Sequence, residues 1–82
     1  MLVVHRAFGF RFVIYTVDHE PAHIHITGAG QAKINLCGFG GAAELVYSIG
    51  IKRPDMKRIM AEVSEHGEKF KDDWERIHGK PD

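Results

Sequence analysis

Six histidines are spread over the 82 residues, and three of them, His19, His23 and His25, fall within one short stretch. In Ala22–His23–Ile24–His25–Ile26–Thr27 the residue types alternate. A strand would therefore carry His23 and His25 on one face, roughly 7 Å apart, with Ile24 and Ile26 on the other. Neutral imidazoles so placed are ordinary ligands for Zn²⁺ or another divalent transition metal, with a third donor from His5, His19 or a carboxylate across the sheet. His19, His23 and His25 form the alternative metal set. The same rings could exchange protons with a substrate while Arg6 or Arg11 offsets phosphate charge, which makes His23, His25 and Arg11 the alternative catalytic set. The plainer reading, in which the two histidines pack on the sheet surface or make polar contacts, is the primary one, so no cofactor is assigned.

Two local patterns imitate known chemistry. His19–Glu20–Pro21–Ala22–His23 has the two histidines and intervening glutamate of a zinc protease, but that chemistry needs both histidines on one helical face and the glutamate beside a metal-bound water. A polar turn precedes this stretch and a strand alternation follows it. His25–Ile26–Thr27 resembles the histidine–x–threonine unit of some RNA-end phosphoesterases, which need two copies in one cleft, and the chain has one. Gly38–Phe39–Gly40–Gly41 lacks the lysine and hydroxyl residue of a phosphate loop and reads as a turn. Cys37 reads as a small packed or semi-exposed thiol with no positioned base. Phe8, Phe10, Phe12 and Tyr15 read as core rather than as a stacking surface for nucleic acid.

The elements that must position these residues follow from periodicity. Leu2–Arg6 and Phe10–Val17 are rich in β-branched and aromatic residues around the turn Ala7–Phe8–Gly9, which predicts a hairpin. Asp18–His19–Glu20–Pro21 interrupts the pattern. Ala22–Thr27 and Gln31–Leu36 flank Gly28–Ala29–Gly30 as a second hairpin, and Ala43–Ser48 reads as a fifth strand, with one or two turns of helix as the alternative. From Met56 onward the period changes. Met56, Ile59, Met60, Val63, Phe70, Trp74 and Ile77 recur at intervals that give one helical stripe. Pro54 and Asp55 suit a helix start, His66–Gly67 can divide the helix in two, and Glu65–Lys69 and Asp72–Arg76 have the spacing of exposed ion pairs. The basic cluster Lys52, Arg53, Lys57 and Arg58 lies at the helix start, as an interaction or anion patch or as an ordinary solvated face.

Composition bounds the function. Eleven basic and eleven acidic side chains cancel, which argues against broad capture of nucleic acid or acidic membrane. Residues 1–51 carry three of each sign and residues 52–82 carry eight of each, so the strand-rich part and the helical part do different jobs. One cysteine excludes an internal disulfide. No apolar run approaches the roughly 20 residues of a membrane span, and no secretory signal is apparent; the expected location is the cytoplasm.

The order of these features, with Glu20–Pro21–Ala22–His23–Ile24–His25 and the closing segment Lys71–Asp72–Asp73–Trp74–Glu75–Arg76, resembles a small bacterial family described only as domain of unknown function DUF4160, over nearly the whole chain. Ile24 stands where the family commonly has an aromatic residue, and Gly38–Ala42 replaces a shorter or more polar connection. The resemblance implies a small α+β domain of prokaryotic origin. It carries no activity to transfer, but family members often sit beside another small domain in arrangements like toxin–antitoxin pairs, which implies a protein partner.

The expected structure is a single α+β domain over residues 1–82, strand-rich over 1–51 and helical over 54–78, with a polar tail at 79–82. A curved antiparallel sheet of four or five strands should pack against a C-terminal helix or helix pair, with Phe12, Ile14, Ile24, Ile26, Ile59, Val63, Phe70, Trp74 and Ile77 as the core. Ile24 and Ile26 should be more buried than His23 and His25. The expected function is a non-enzymatic interaction module, one member of a toxin–antitoxin-like pair, with a small protein encoded nearby or a second copy as partner. The alternative is a small metal-dependent or acid–base enzyme that processes nucleic acid with His23 and His25.

Overall fold

The computed structural model describes residues 1–79, so most of the expected polar tail lies outside the described residues. Five strands, β1 (Leu2–Ala7), β2 (Phe10–Ile14), β3 (His23–Thr27), β4 (Gln31–Asn35) and β5 (Glu44–Ile49), are followed by helices α1 (Arg53–Glu65) and α2 (Gly67–His78). The strands pair in sequence order, every pair antiparallel. The sheet is a meander, and both its edges are strands that each pair on one side only. Ala43–Ser48 is thus strand rather than helix, and the helical stretch does divide, at His66.

Local chemistry accounts for the turns. Phe8 and Gly9 are the two loop residues between β1 and β2, and both have positive φ, 56° and 79°. This backbone twist suits the two-residue hairpin turn that matches a twisted strand pair. Gly30 is required for another reason: a Cβ there would lie 2.6 Å from the Ile49 carbonyl oxygen, because β5 ends directly beside the start of β4. Asp55 in the first turn of α1, and Arg76 and His78 in the last turn of α2, complement the helix dipoles.

The sheet face carrying Phe10, Phe12, Ile14, Ile24, Ile26, Ala32 and Ile34 forms one apolar cluster with Met56, Ile59 and Val63 of α1 and with Phe70 and Trp74 of α2. Eight of the nine expected core residues are buried, and Ile77 is partly buried against the same cluster. The rings of Phe12 and Phe70 stack with centroids 5.8 Å apart. Val13 is fully buried although it lies outside this cluster, so the second sheet face is not uniformly solvated.

Two irregularities re-aim side chains. In β1 the register shifts between Val3 and His5, so His5 rather than Val4 lies opposite Phe12. A bulge of this kind inserts one residue and changes which side chains share a face. It turns His5 toward the helices, where its Nε2–H donates to Glu62 Oε2 at 2.5 Å and its ring meets Phe12 and Phe70 edge-on. Val4 keeps an outward carbonyl, which accepts from Lys69 Nζ at 2.6 Å. In β5 the shift falls at Val46, so Leu45 lies opposite Ile34 and Tyr47 opposite Lys33.

The helical ion pairs differ from the expected ones. Lys69 and Arg76 both pair with Asp73 instead of with Glu65 and Asp72. Asp73 is 5% exposed, and a buried carboxylate is costly unless countercharges reach it, whereas exposed partners gain little.

Candidate functional site

Between β2 and β3 the chain turns back, with the Asp18 amide donating to the Tyr15 carbonyl at 3.2 Å. This turn delivers the Asp18 carboxylate to the two strand histidines. Asp18 Oδ2 lies 3.0 Å from His23 Nε2 and 3.4 Å from His25 Nε2. The three ligand-capable atoms lie within 4.8 Å of one another. Asp18 Oδ2 is closed to solvent and has no hydrogen-bond partner. The two short approaches are therefore close contacts without hydrogen-bond alignment.

The protonation of His23 is set from its other side. Its Nδ1 lies 2.8 Å from the Pro21 carbonyl. A carbonyl oxygen only accepts, so Nδ1 carries the hydrogen and donates it, and in the neutral ring Nε2 presents its lone pair toward Asp18. Packing fixes both rings. His23 lies 5.0 Å from Trp74 and 5.1 Å from His25, and His25 meets Tyr15 edge-on at 4.8 Å. The Trp74 Nε1–H donates to Glu20 Oε1 at 2.8 Å, which ties α2 to the β2–β3 connection. Burial holds the His25 imidazole below its ordinary value of 6.5; the Asp18 carboxylate opposes that shift, and the charges of His23 and Lys33 add to it.

The structure corrects one expectation about this pair. Ile24 and Ile26 are the most buried, as expected, but the histidines do not sit on an open sheet face: His23 is 4% exposed and His25 is half-buried. The reason is the Asp18–Ala22 connection and the C-terminal half of α2, which enclose the start of β3. Sequence spacing named a carboxylate across the sheet as a possible third donor but did not identify Asp18, which arrives from the turn rather than from a neighbouring strand. His19 is exposed and outside the cluster, and His5 belongs to a second group with Glu62 and His66. Arg11 is exposed, opposite Thr27 and thus on the same sheet face as His25 but one pair further along. Arg6 lies opposite Arg11, also exposed. Thr16, Val17, His19, Trp74 and His78 help line an open groove beside Asp18.

Lys52, Arg53, Lys57 and Arg58 are all exposed at the start of α1, and Arg58 makes a 3.4 Å contact with Asp55. A different surface stands out at the far edge of the sheet. All six residues of β5 are exposed, including Leu45, Val46, Tyr47 and Ile49 at 40%, 48%, 39% and 64%.

A five-stranded antiparallel meander covered on one face by two consecutive helices, with an aspartate and two histidines gathered at one end of the sheet, defines a small α+β protein. The family model for the domain of unknown function DUF4160 matches residues 9–75, and the chain belongs to that family. The matched span contains Asp18, His23, His25 and Trp74. No curated protein and no solved structure matches the chain. No helix among the described residues is long and apolar enough to cross a membrane.

Proposed function

We propose that this chain is a non-enzymatic protein-interaction module, one member of a toxin–antitoxin-like pair, that docks a small protein encoded nearby through β5. The observation that carries this reading is the exposure of all six β5 residues, four of them large and apolar. Native edge strands are usually protected by charge, proline or a covering element, and contiguous exposed apolar surface marks interaction sites. Here the only charge is Glu44, at one end. The bulge at Val46 interrupts the free backbone ladder, so side chains rather than a long run of added strand hydrogen bonds would supply most of the contact. Leu45 projects to the helix side of the sheet, and Tyr47 and Ile49 to the other, which suits a partner that wraps the edge.

Co-expression with the products of neighbouring genes, followed by co-purification and a solution-mass measurement, tests this. The expected result is a complex heavier than the 9.2 kDa chain that Val46→Lys with Tyr47→Asp disrupts. A monomer that captures none of those products overturns it.

The second reading is a small metal-dependent or acid–base enzyme acting on nucleic acid through His23 and His25. The convergence of Asp18, His23 and His25 supports it, with Arg11 on the same sheet face. The balanced charge weighs against it, because nucleic-acid binding draws most of its strength from phosphate neutralisation. A nuclease activity that survives the His23→Ala, His25→Ala double substitution would eliminate it.

A further inference from the structure

We infer that Asp18, His23 and His25 form a binding site for one divalent transition-metal ion of the Zn²⁺ class. The inference is independent of the β5 reading and rests on three features of the cluster. The first is spacing. A four-coordinate zinc ion with bonds of about 2.0–2.2 Å holds neighbouring ligand atoms roughly 3.3–3.5 Å apart. The Asp18 Oδ2 contacts at 3.0 and 3.4 Å are close to that separation, and all three ligand atoms lie within 4.8 Å of one another.

The second is the state of Asp18. Its Oδ2 is closed to solvent and without a hydrogen-bond partner, a costly condition for a carboxylate oxygen. At 3.0 and 3.4 Å neither Nε2 makes an aligned hydrogen bond to it. A metal ion held between the three ligand atoms would give that oxygen a partner.

The third is the partner behind His23. Metal-bound histidines generally donate their remaining ring N–H to a carbonyl or carboxylate, which fixes the tautomer and orients the ring. The 2.8 Å bond from His23 Nδ1 to the Pro21 carbonyl supplies that contact. The second group, His5, Glu62 and His66, lacks this signature: Glu62 Oε2 already accepts a short hydrogen bond from His5. Two imidazoles and one carboxylate suit Zn²⁺, Co²⁺ or Fe²⁺ and leave coordination positions for water or for a donor group from another molecule.

The test uses the full, untagged chain stripped with chelator and titrated with Co²⁺, whose visible absorption reports its coordination. The expected result is saturable uptake of one Co²⁺ per chain, displaced by Zn²⁺, and weakened at least tenfold in both Asp18→Asn and His25→Gln but not in His66→Ala. Thermal unfolding identifies any variant that has not folded. A second measurement needs no substitution: in the wild-type chain, Co²⁺ should shift or broaden the ring resonances of His23 and His25 before those of His5 and His66. Absence of saturable uptake overturns the site, as does uptake that survives Asp18→Asn and disappears in His66→Ala, or first perturbation of His5 and His66.

Discussion

The indole N–H of Trp74 donates to the Glu20 carboxylate across 2.8 Å, joining residues 54 positions apart in the chain. Trp74 is buried and Glu20 is exposed, so the bond fixes a surface turn to the core instead of stabilising the core itself. Glu20→Ala leaves a buried donor without its partner and should cost about 1–2 kcal/mol, measured by urea denaturation. Glu20→Gln keeps an acceptor and should recover most of it. Equal stability of Glu20→Ala and the wild-type chain would show that the turn does not depend on Trp74.

Gly30, just before β4, lies against the backbone at the end of β5. A methyl group placed there meets the Ile49 and Gly50 backbone at 2.6–2.7 Å, and backbone cannot move aside as a side-chain tip can. Gly30→Ala should destabilise the protein by about 1–3 kcal/mol, with faster amide exchange concentrated in β5. Uniform exchange across the sheet would refute the local explanation.

Phe8 holds a left-handed backbone conformation, φ 56°, with its ring 50% exposed. That conformation costs a non-glycine residue roughly 1–2 kcal/mol, less for asparagine. Phe8→Asn should therefore raise stability by about 0.5–1 kcal/mol in a thermal melt. A loss of stability would mean that the exposed ring makes contacts worth more than the strain.

His25 should titrate below 6.5 in the chelator-treated protein, because burial disfavours its cation. The unfolded chain then binds more protons than the folded one between the lowered folded value and 6.5. This group contributes nothing to pH dependence well above 6.5, and its contribution turns unfavourable as pH falls through that window. His25→Gln should flatten the acid side of the stability profile. A ring titration at or above 6.5 by NMR would contradict the expectation.

Lysine at Val46 and aspartate at Tyr47 should each change stability by less than about 0.5 kcal/mol, as exposed substitutions usually do, while removing partner capture. A large drop in melting temperature would indicate that β5 is structural.

Much of the fold was legible because it follows from periods of two and of three to four: the hairpins around Phe8–Gly9 and Gly28–Gly30, the burial of Ile24 and Ile26, and the stripe from Ile59 to Trp74. Other features depend on events that carry no period. One inserted residue in β1 reverses which side chains face the helices, and that brings His5 to Glu62. A turn with no repeating pattern brings Asp18 beside His23. Asp73 takes both Lys69 and Arg76 because it is buried, which spacing rules for exposed helices do not anticipate. The pair His23 and His25 was visible in the alternation, but their enclosure by α2 and the preceding connection was not.

Every strand of the meander pairs with its neighbour in sequence, whereas the ties from β1 to the helices, His5 to Glu62 and Val4 to Lys69, span 57 and 65 residues. Short loops close at lower entropic cost than long ones, so the hairpins should assemble early and the helices should fasten onto β1 late. Weakening the late clasp by Lys69→Met should then speed unfolding while leaving the refolding rate nearly unchanged. An equal slowing of refolding would place the clasp in the folding nucleus instead.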